Sequence, residues 1–311
     1  MYFFRGMGLL VTLVIAVTGV AAASGSFPEL NGDGFLTEGE FVYENADLGE
    51  WRYASQTLRI EIVRKRNTKP NLTWYEADIY TAGDERFHMI PKNPVKRMEQ
   101  MDFVHNIARE NGVVFALNSD FAHLRIQQRS IPGILIRDRE IISNKTRTPK
   151  TMKFPNLDTL AIFPDGDMRV YAYNEYTAEE YLLMGAVDVL AFGPVLIRDG
   201  ETDWDLVRKY TNYNEPRTGI GMVEIGHYVA IMVEGRHEKS RGITTTGLTE
   251  LFRAKGCVLA LNLDGGQSAT MVFMGKQIIR VGQTNRLNKP ARSTAEILGI
   301  GFSQTVLDSV K

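Results

Sequence analysis

Two distant stretches of the chain repeat one local plan. Ala108-Arg109-Glu110-Asn111-Gly112 leads into Val113-Val114-Phe115-Ala116-Leu117-Asn118-Ser119-Asp120. Phe252-Arg253-Ala254-Lys255-Gly256 leads into Cys257-Val258-Leu259-Ala260-Leu261-Asn262-Leu263-Asp264. Each reads as a helix end, a glycine C-cap, a buried strand and then Asn-x-Asp. Side chains alternate along a strand, so the Asn and Asp of each pair project to one side. Polar residues that follow an apolar strand lie at its carboxyl end, where sheets with helices tend to place their sites. Two such ends brought together would set two carboxylates and two amides around one pocket. The plainer alternative is two core strands that end in polar turns.

The second copy continues Gly265-Gly266-Gln267-Ser268-Ala269-Thr270-Met271. Paired glycines let a backbone approach a ligand closely and present its N–H groups, although most Gly-Gly pairs are ordinary turns. Asn-x-Asp-Gly-Gly-x-Ser-x-Thr as one unit is far more specific. Here the chain resembles the phosphodiester glycosidase family, that of the enzyme which uncovers mannose 6-phosphate by removing N-acetylglucosamine. The family motif is close to N-L-D-G-G-G-S-[SA]-T-M, and Asn262 to Met271 follows it with Gln267 in place of the third glycine. Asn118-Ser119-Asp120-Phe121, Phe192 to Gly200, and Pro216-Arg217-Thr218-Gly219-Ile220-Gly221 resemble three further family segments, in order. Glu234-Gly235-Arg236 stands where the family usually has Asp-Gly-Arg. The resemblance covers roughly residues 70 to 303.

The resemblance implies a sugar 1-phosphodiester substrate, and that substrate has chemical demands. Its diffuse negative charge calls for fixed cations and aimed donors. Arg217 suits this, since a guanidinium makes two-point contacts with phosphate oxygens, and Arg236 is a second candidate. The Gly265 and Gly266 amides with Ser268 would cradle the phosphate or sugar hydroxyls. Asn118, Asn262 and Thr270 complete the expected binding set. Breaking the anomeric C–O bond develops oxocarbenium character that a carboxylate stabilises or traps. Asp264 is the first choice for that group, Asp120 the second and Glu234 the third. Which of them is nucleophile or base is left open. No cofactor is expected, a divalent cation being the one alternative. His88, His105, His123, His227 and His237 show no metal-ligand spacing.

Two other classes remain. Gln267 and Glu234 depart from the family pattern and would fit a phosphoglycan-binding module that has lost catalysis. A phosphodiesterase acting on envelope polymers is the other. Retention of Asp120, Arg217 and Asp264 favours an enzyme.

Bulk properties narrow the partners. A net charge of -1 over 311 residues, with Lys and Arg dispersed, argues against nucleic acid. Arg5, an apolar run from Gly6 to Val20 and then Ala21-Ala22-Ala23 describe a signal peptide over residues 1–23. An uncleaved anchor is the alternative and the only route to a membrane partner. The expected location is secreted or envelope-associated. The single cysteine, Cys257, reads as a small apolar core residue. An exported chain with so little cysteine suits a bacterial envelope. Glu29-x-Asn31-x-Asp33-Gly34 imitates a calcium loop, but without a preceding helix a solvated turn is expected.

The elements read as follows. Thr57 to Arg64 and Trp74 to Tyr80 form a hairpin, as do Ile134 to Ile142, Leu160 to Tyr173, and Gly219 to Glu234. A helix capped by Asn93 runs from Pro94 to Gly112. Thr177 with Glu180 forms a capping box, and a further helix runs from Thr246 through Lys255. Strands outnumber helices and most neighbours are hairpins, which predicts an α+β fold with mixed, mainly antiparallel sheets. The repeated plan suggests an internal duplication. Residues 24–69 are expected to form an N-terminal strand region ahead of a catalytic domain over 70–311.

Overall fold

The computed structural model describes residues 25–93, 100–119, 133–145, 157–210, 213–280 and 292–310. The predicted signal segment, Asp120 and His123 lie outside them.

Among the described residues, three sheets form the frame. The first has eight strands in the order β1 (Phe41–Asn45), β2 (Glu50–Ala54), β3 (Leu58–Thr68), β4 (Asn71–Thr81), β14 (His227–Val233), β13 (Arg217–Glu224), β15 (Leu259–Asn262) and β12 (Val195–Ile197). The second runs β10 (Met168–Tyr171), β9 (Asp158–Ile162), β11 (Asp188–Phe192), β7 (Ile134–Arg137) and β8 (Glu140–Asn144). The third runs β17 (Lys276–Gln277), β16 (Met271–Phe273), β6 (Val113–Asn118), β18 (Glu296–Phe302) and β5 (His88–Pro91). The fold is α+β as expected. Every strand pairing among the described residues is antiparallel, so the expected mixture of parallel pairs is not seen there. Hairpins dominate the connections, and a hairpin can only return antiparallel.

The predicted boundary at residue 70 falls in the turn of the β3–β4 hairpin. Those strands pair from Leu58↔Thr81 to Thr68↔Asn71, so the N-terminal strands and the rest share one sheet.

The inner faces of the sheets meet in one core. Ile60, Ile79 and Ile220 come from the first sheet, Leu160 and Leu190 from the second, and Phe115, Phe273 and Leu298 from the third. Short helices cover the outer faces. Helix α1 (Val104–Glu110) sets Ile107 against Ala116 and Ile297, and α2 (Ala178–Leu183) sets Tyr181 against Ile136 and Val189. Helices α3 (Trp204–Tyr210) and α4 (Thr245–Ala254) place Val207, Leu248 and Phe252 against Val229 and Ile231. A last helix, α5, spans Gln304–Asp308. Burial on both faces explains why β6 is apolar from Val113 to Leu117 with all its residues buried, whereas the first half of β3 alternates.

Two helix starts bear on the predictions. Thr177 and Glu180 do form the capping box, with Glu180 N–H donating to Thr177 Oγ1 at 3.2 Å and Thr177 N–H to Glu180 Oε2 at 2.7 Å. The helix expected from Pro94 begins at Val104 instead, and Pro94 to Glu99 lie outside the described residues. The reason is tertiary. Asp102 exchanges main-chain hydrogen bonds with Thr294 at 2.8 and 3.0 Å, and its carboxylate pairs with Lys92 at 2.8 Å, which holds the lead-in extended.

Candidate active site

The register of the first sheet brings three strand ends to one edge. Arg217 at the start of β13 pairs with Val233 at the end of β14, and Gly219 pairs with Asn262 at the end of β15. The third sheet reaches the same edge through β6. Asn118 Nδ2 donates to the Asp264 main-chain oxygen at 2.7 Å, and Asn118 Oδ1 accepts from Thr270 N–H at 2.9 Å. The end of β6, at Asn118, therefore meets the Asn262-to-Asp264 end of β15, although the two strands belong to different sheets. Asn118 and Thr270, expected as substrate ligands, act here as structural ties. Thr270 Oγ1 donates to the Ser268 main-chain oxygen at 3.0 Å and so closes the turn that carries Asp264.

Asp264 lies at the centre of this junction. Its carboxyl is buried, and burial pushes its pKa up from the ordinary 3.8 to about 7. Three groups oppose the shift: the Ser268 hydroxyl, which hydrogen-bonds the carboxyl, the positive charge of Arg292, and the Gly265 N–H. A carboxyl that titrates near neutrality can give or take a proton at working pH, as acid-base catalysis requires. Asn262 donates Nδ2 to the Gly193 carbonyl at 2.9 Å, which docks the Phe192-Gly193-Pro194 segment onto the end of β15. Its Oδ1 is buried with no partner among the described residues.

The glycine pair does a different task from the one predicted. Gly266 N–H donates to the Pro216 carbonyl at 2.8 Å, and the Gly265 N–H serves Asp264, so both amides are engaged. A Cβ on Gly265 would stand 2.7 Å from the Pro216 oxygen, which no side chain could tolerate. Gly266 has φ +61°, and a Cβ there would meet the Arg236 guanidinium at 3.2 Å. The glycines thus allow the Asp264 turn to lie flat against Pro216-Arg217 and under Arg236.

The cations divide by role. Arg217 is 3 % exposed and donates Nε to the Ile243 carbonyl at 2.8 Å and Nη2 to the Tyr213 carbonyl at 3.3 Å. Burial draws its pKa down to about 10, which leaves it charged at neutral pH. It ties β13 to the lead-in of α4 and to the Tyr213 backbone. Arg236 pairs through Nε with Glu215. Arg292, which no sequence pattern marked, approaches Ser268 Oγ with Nη1 at 3.5 Å.

Glu234 follows β14 and is buried in a separate network. Its Oε1 accepts from Tyr75 Oη at 3.0 Å and from Arg280 N–H at 2.8 Å. His237 Nε2 lies 3.1 Å from Oε2, within ion-pair range although off the hydrogen-bond direction. These contacts suit an anchor for the loop after β14, and that loop carries Arg236. Among the described residues no group of three His, Cys, Asp or Glu is placed to hold a metal ion. Asn31, in the calcium-like stretch, instead accepts Asp33 and Phe35 N–H at its own Oδ1, forming a local turn.

The profile of a family described as phosphodiester glycosidase matches residues 111–301. The human N-acetylglucosamine-1-phosphodiester alpha-N-acetylglucosaminidase is 34 % identical over 101 residues, covering 30 % of this chain and 19 % of that protein. A Bacillus subtilis (strain 168) SPbeta prophage-derived uncharacterized protein, YomE, is 34 % identical over 158 residues, covering 50 % of this chain and 24 % of YomE. The chain thus spans a quarter or less of the length of either relative. Among solved structures, the zebrafish N-acetylglucosamine-1-phosphodiester alpha-N-acetylglucosaminidase catalytic domain, auto-inhibited by its pro-peptide, superposes with TM-score 0.64 at 18 % identity. That alignment covers 79 % of this chain and 84 % of that one. A hypothetical protein from Synechocystis superposes with TM-score 0.55 at 11 % identity, covering 80 % and 63 % of the two chains. At such identities these structures speak to the fold alone.

Proposed function

The chain belongs to the phosphodiester glycosidase family, and we propose that it is a hydrolase that cleaves the anomeric C–O bond of a sugar 1-phosphodiester, releasing free sugar and a phosphomonoester. The observation that carries this reading is Asp264. It is buried at the meeting of two strand ends, titrates near neutrality, and has a hydroxyl and a guanidinium beside it.

The chemistry follows from that geometry. As the anomeric C–O bond stretches, charge builds on the bridging oxygen. Protonated Asp264 gives its proton to that oxygen, which leaves as part of the phosphomonoester. Water forms the new bond to the anomeric carbon and its spare proton returns to solvent or to Asp264. A phosphomonoester is already a good leaving group, so one acid of this strength suffices for departure. The N-acetylglucosamine-1-phosphodiester named in the human relative is the first substrate to try. We further propose that the substrate is a glycan outside the cytoplasm, from the signal-like composition of residues 1–23. Fractionation of cells expressing the full chain tests that location.

The decisive assay is incubation with a panel of sugar 1-phosphodiesters and identification of products by mass spectrometry. Free sugar plus phosphomonoester is the expected outcome. Sugar 1-phosphate would instead identify a phosphodiesterase, and unchanged substrate with measurable binding would identify a binding module.

A further inference from the structure

We propose that Arg292, rather than Arg217, is the side chain that grips the phosphate group of the substrate. The inference rests on the phosphodiester reading above and assigns one residue within it.

The argument is one of donors and where they go. A guanidinium binds phosphate well because it presents several N–H groups in a rigid plane. Those donors must be free to turn toward a ligand. Arg217 directs Nε and Nη2 at the carbonyls of Ile243 and Tyr213, and it is buried. Turning those donors to a ligand would cost the Ile243 and Tyr213 carbonyls their Arg217 hydrogen bonds. Arg236 has Glu215 as its ion-pair partner. Arg292 is different. Among the described residues its guanidinium makes one long hydrogen bond, Nη1 to Ser268 Oγ at 3.5 Å. Its position is nevertheless set, because its main-chain N–H donates to the Gln267 carbonyl at 3.0 Å. Gln267 and Ser268 belong to the 3-10 turn Gly266–Ser268 that directly follows Asp264 and Gly265. The turn that presents the acid thus also anchors the cation.

The placement suits the substrate's shape. In a sugar 1-phosphodiester the phosphorus is one bond from the bridging oxygen. A proton donor for that oxygen and a cation for the other phosphate oxygens must therefore be close neighbours. Asp264 and Arg292 are such neighbours, joined through Ser268. Arg292 would have a second effect by its charge. Among the described residues it is the charged side chain that acts on Asp264, and it favours the ionised form.

The test uses the full chain and two probes: the methyl phosphodiester of α-N-acetylglucosamine 1-phosphate, and the neutral methyl α-N-acetylglucosaminide. Affinities of the parent protein, Arg292→Gln and Arg292→Lys are measured by calorimetry, with thermal melts to check folding. Arg292→Gln should weaken the phosphodiester about ten- to a hundredfold and leave the neutral glycoside unchanged, the loss expected for one charged contact. Arg292→Lys keeps the charge and loses the fork, so it should fall between the two. If Arg292→Gln fails to fold, Arg292→Lys carries the test alone. The pH profile of kcat adds a readout that a packing role would not move. In Arg292→Gln the limb where activity falls with rising pH should shift upward, because Asp264 loses its cation. Phosphodiester binding equal to the parent's in a folded variant would overturn the role of Arg292 while leaving the phosphodiester reading intact. A parent protein that does not prefer the phosphodiester over the neutral glycoside would overturn both.

Discussion

Asp264 shows what a buried carboxyl costs its own fold. Its neutral form is favoured by burial, so its folded pKa of about 7 lies above the ordinary 3.8. Between those values the native state holds a proton that the unfolded chain has released. Stability conferred on the protonated form is therefore complete below about pH 4 and is lost as pH rises toward 7. Asp264→Asn keeps the shape and removes the titration. Stability at pH 8 should rise relative to the parent, and the decline from pH 4 to 7 should flatten, as measured by denaturant melts across that range. The same variant should lose at least about a hundredfold in kcat on a phosphodiester. In the parent, kcat should fall as pH rises past about 7, since the acid form is then depleted. A rate that climbs through that range would remove Asp264 from the donor role. A variant less active and more stable is the pattern expected of a group held in place for chemistry.

At the scale of elements, the site depends on how closely α4 lies on the first sheet. Gly219 and Gly221 of β13 both face Phe252 of that helix, and neither has a left-handed backbone. Their need is space. A Cβ on Gly221 would stand 2.8 Å from the Leu259 carbonyl and 3.0 Å from Cys257 Sγ. Neither the β15 backbone nor the buried thiol can give way easily. Gly221→Ala should therefore destabilise by about 1–3 kcal/mol through overpacking, read as a lower midpoint in urea with an unchanged slope. Because β13 carries Arg217 and Pro216 into the site, activity should fall alongside stability. A midpoint equal to the parent's would mean that helix and sheet have room to separate. Arg217 belongs to the same contact, since its hydrogen bond to Ile243 fixes the approach to α4.

At the scale of the whole molecule, Asn118 joins two sheets that share no strand. One side chain satisfies the Asp264 carbonyl and the Thr270 N–H, both buried. Asn118→Ala leaves each without a partner, at roughly 1–3 kcal/mol per group. It should lower the unfolding midpoint and, in protein still folded, reduce kcat by releasing the Asp264 turn. Asn118→Asp keeps the acceptor for Thr270 and loses the donor, so it should recover part of the stability. If Asn118→Ala matched the parent in both measurements, the junction would be held by other contacts.

Much of this was open to inspection in the sequence. The hairpins, the capping box at Thr177 and the buried strands at β6 and β15 follow from local periodicity and turn chemistry, which act over a few residues. The Asn-x-Asp echo located both strand ends of the site, and the motif from Asn262 to Thr270 singled out Asp264. The roles within the site were decided elsewhere. Whether an arginine holds a ligand or a carbonyl depends on what lies across from it, and Arg217 meets Ile243, 26 residues away in the chain. Arg292 has no local pattern and joins the site only because the chain entering β18 passes the Ser268 turn. The glycine pair fits a ligand cradle by its sequence, but in the fold the Pro216 carbonyl occupies the Gly266 amide. The start of α1 was set by Thr294 on a distant segment. Short-range order is written in spacing and propensity, whereas the direction of a donor or the burial of an acid is fixed by groups that only folding brings within 3 Å.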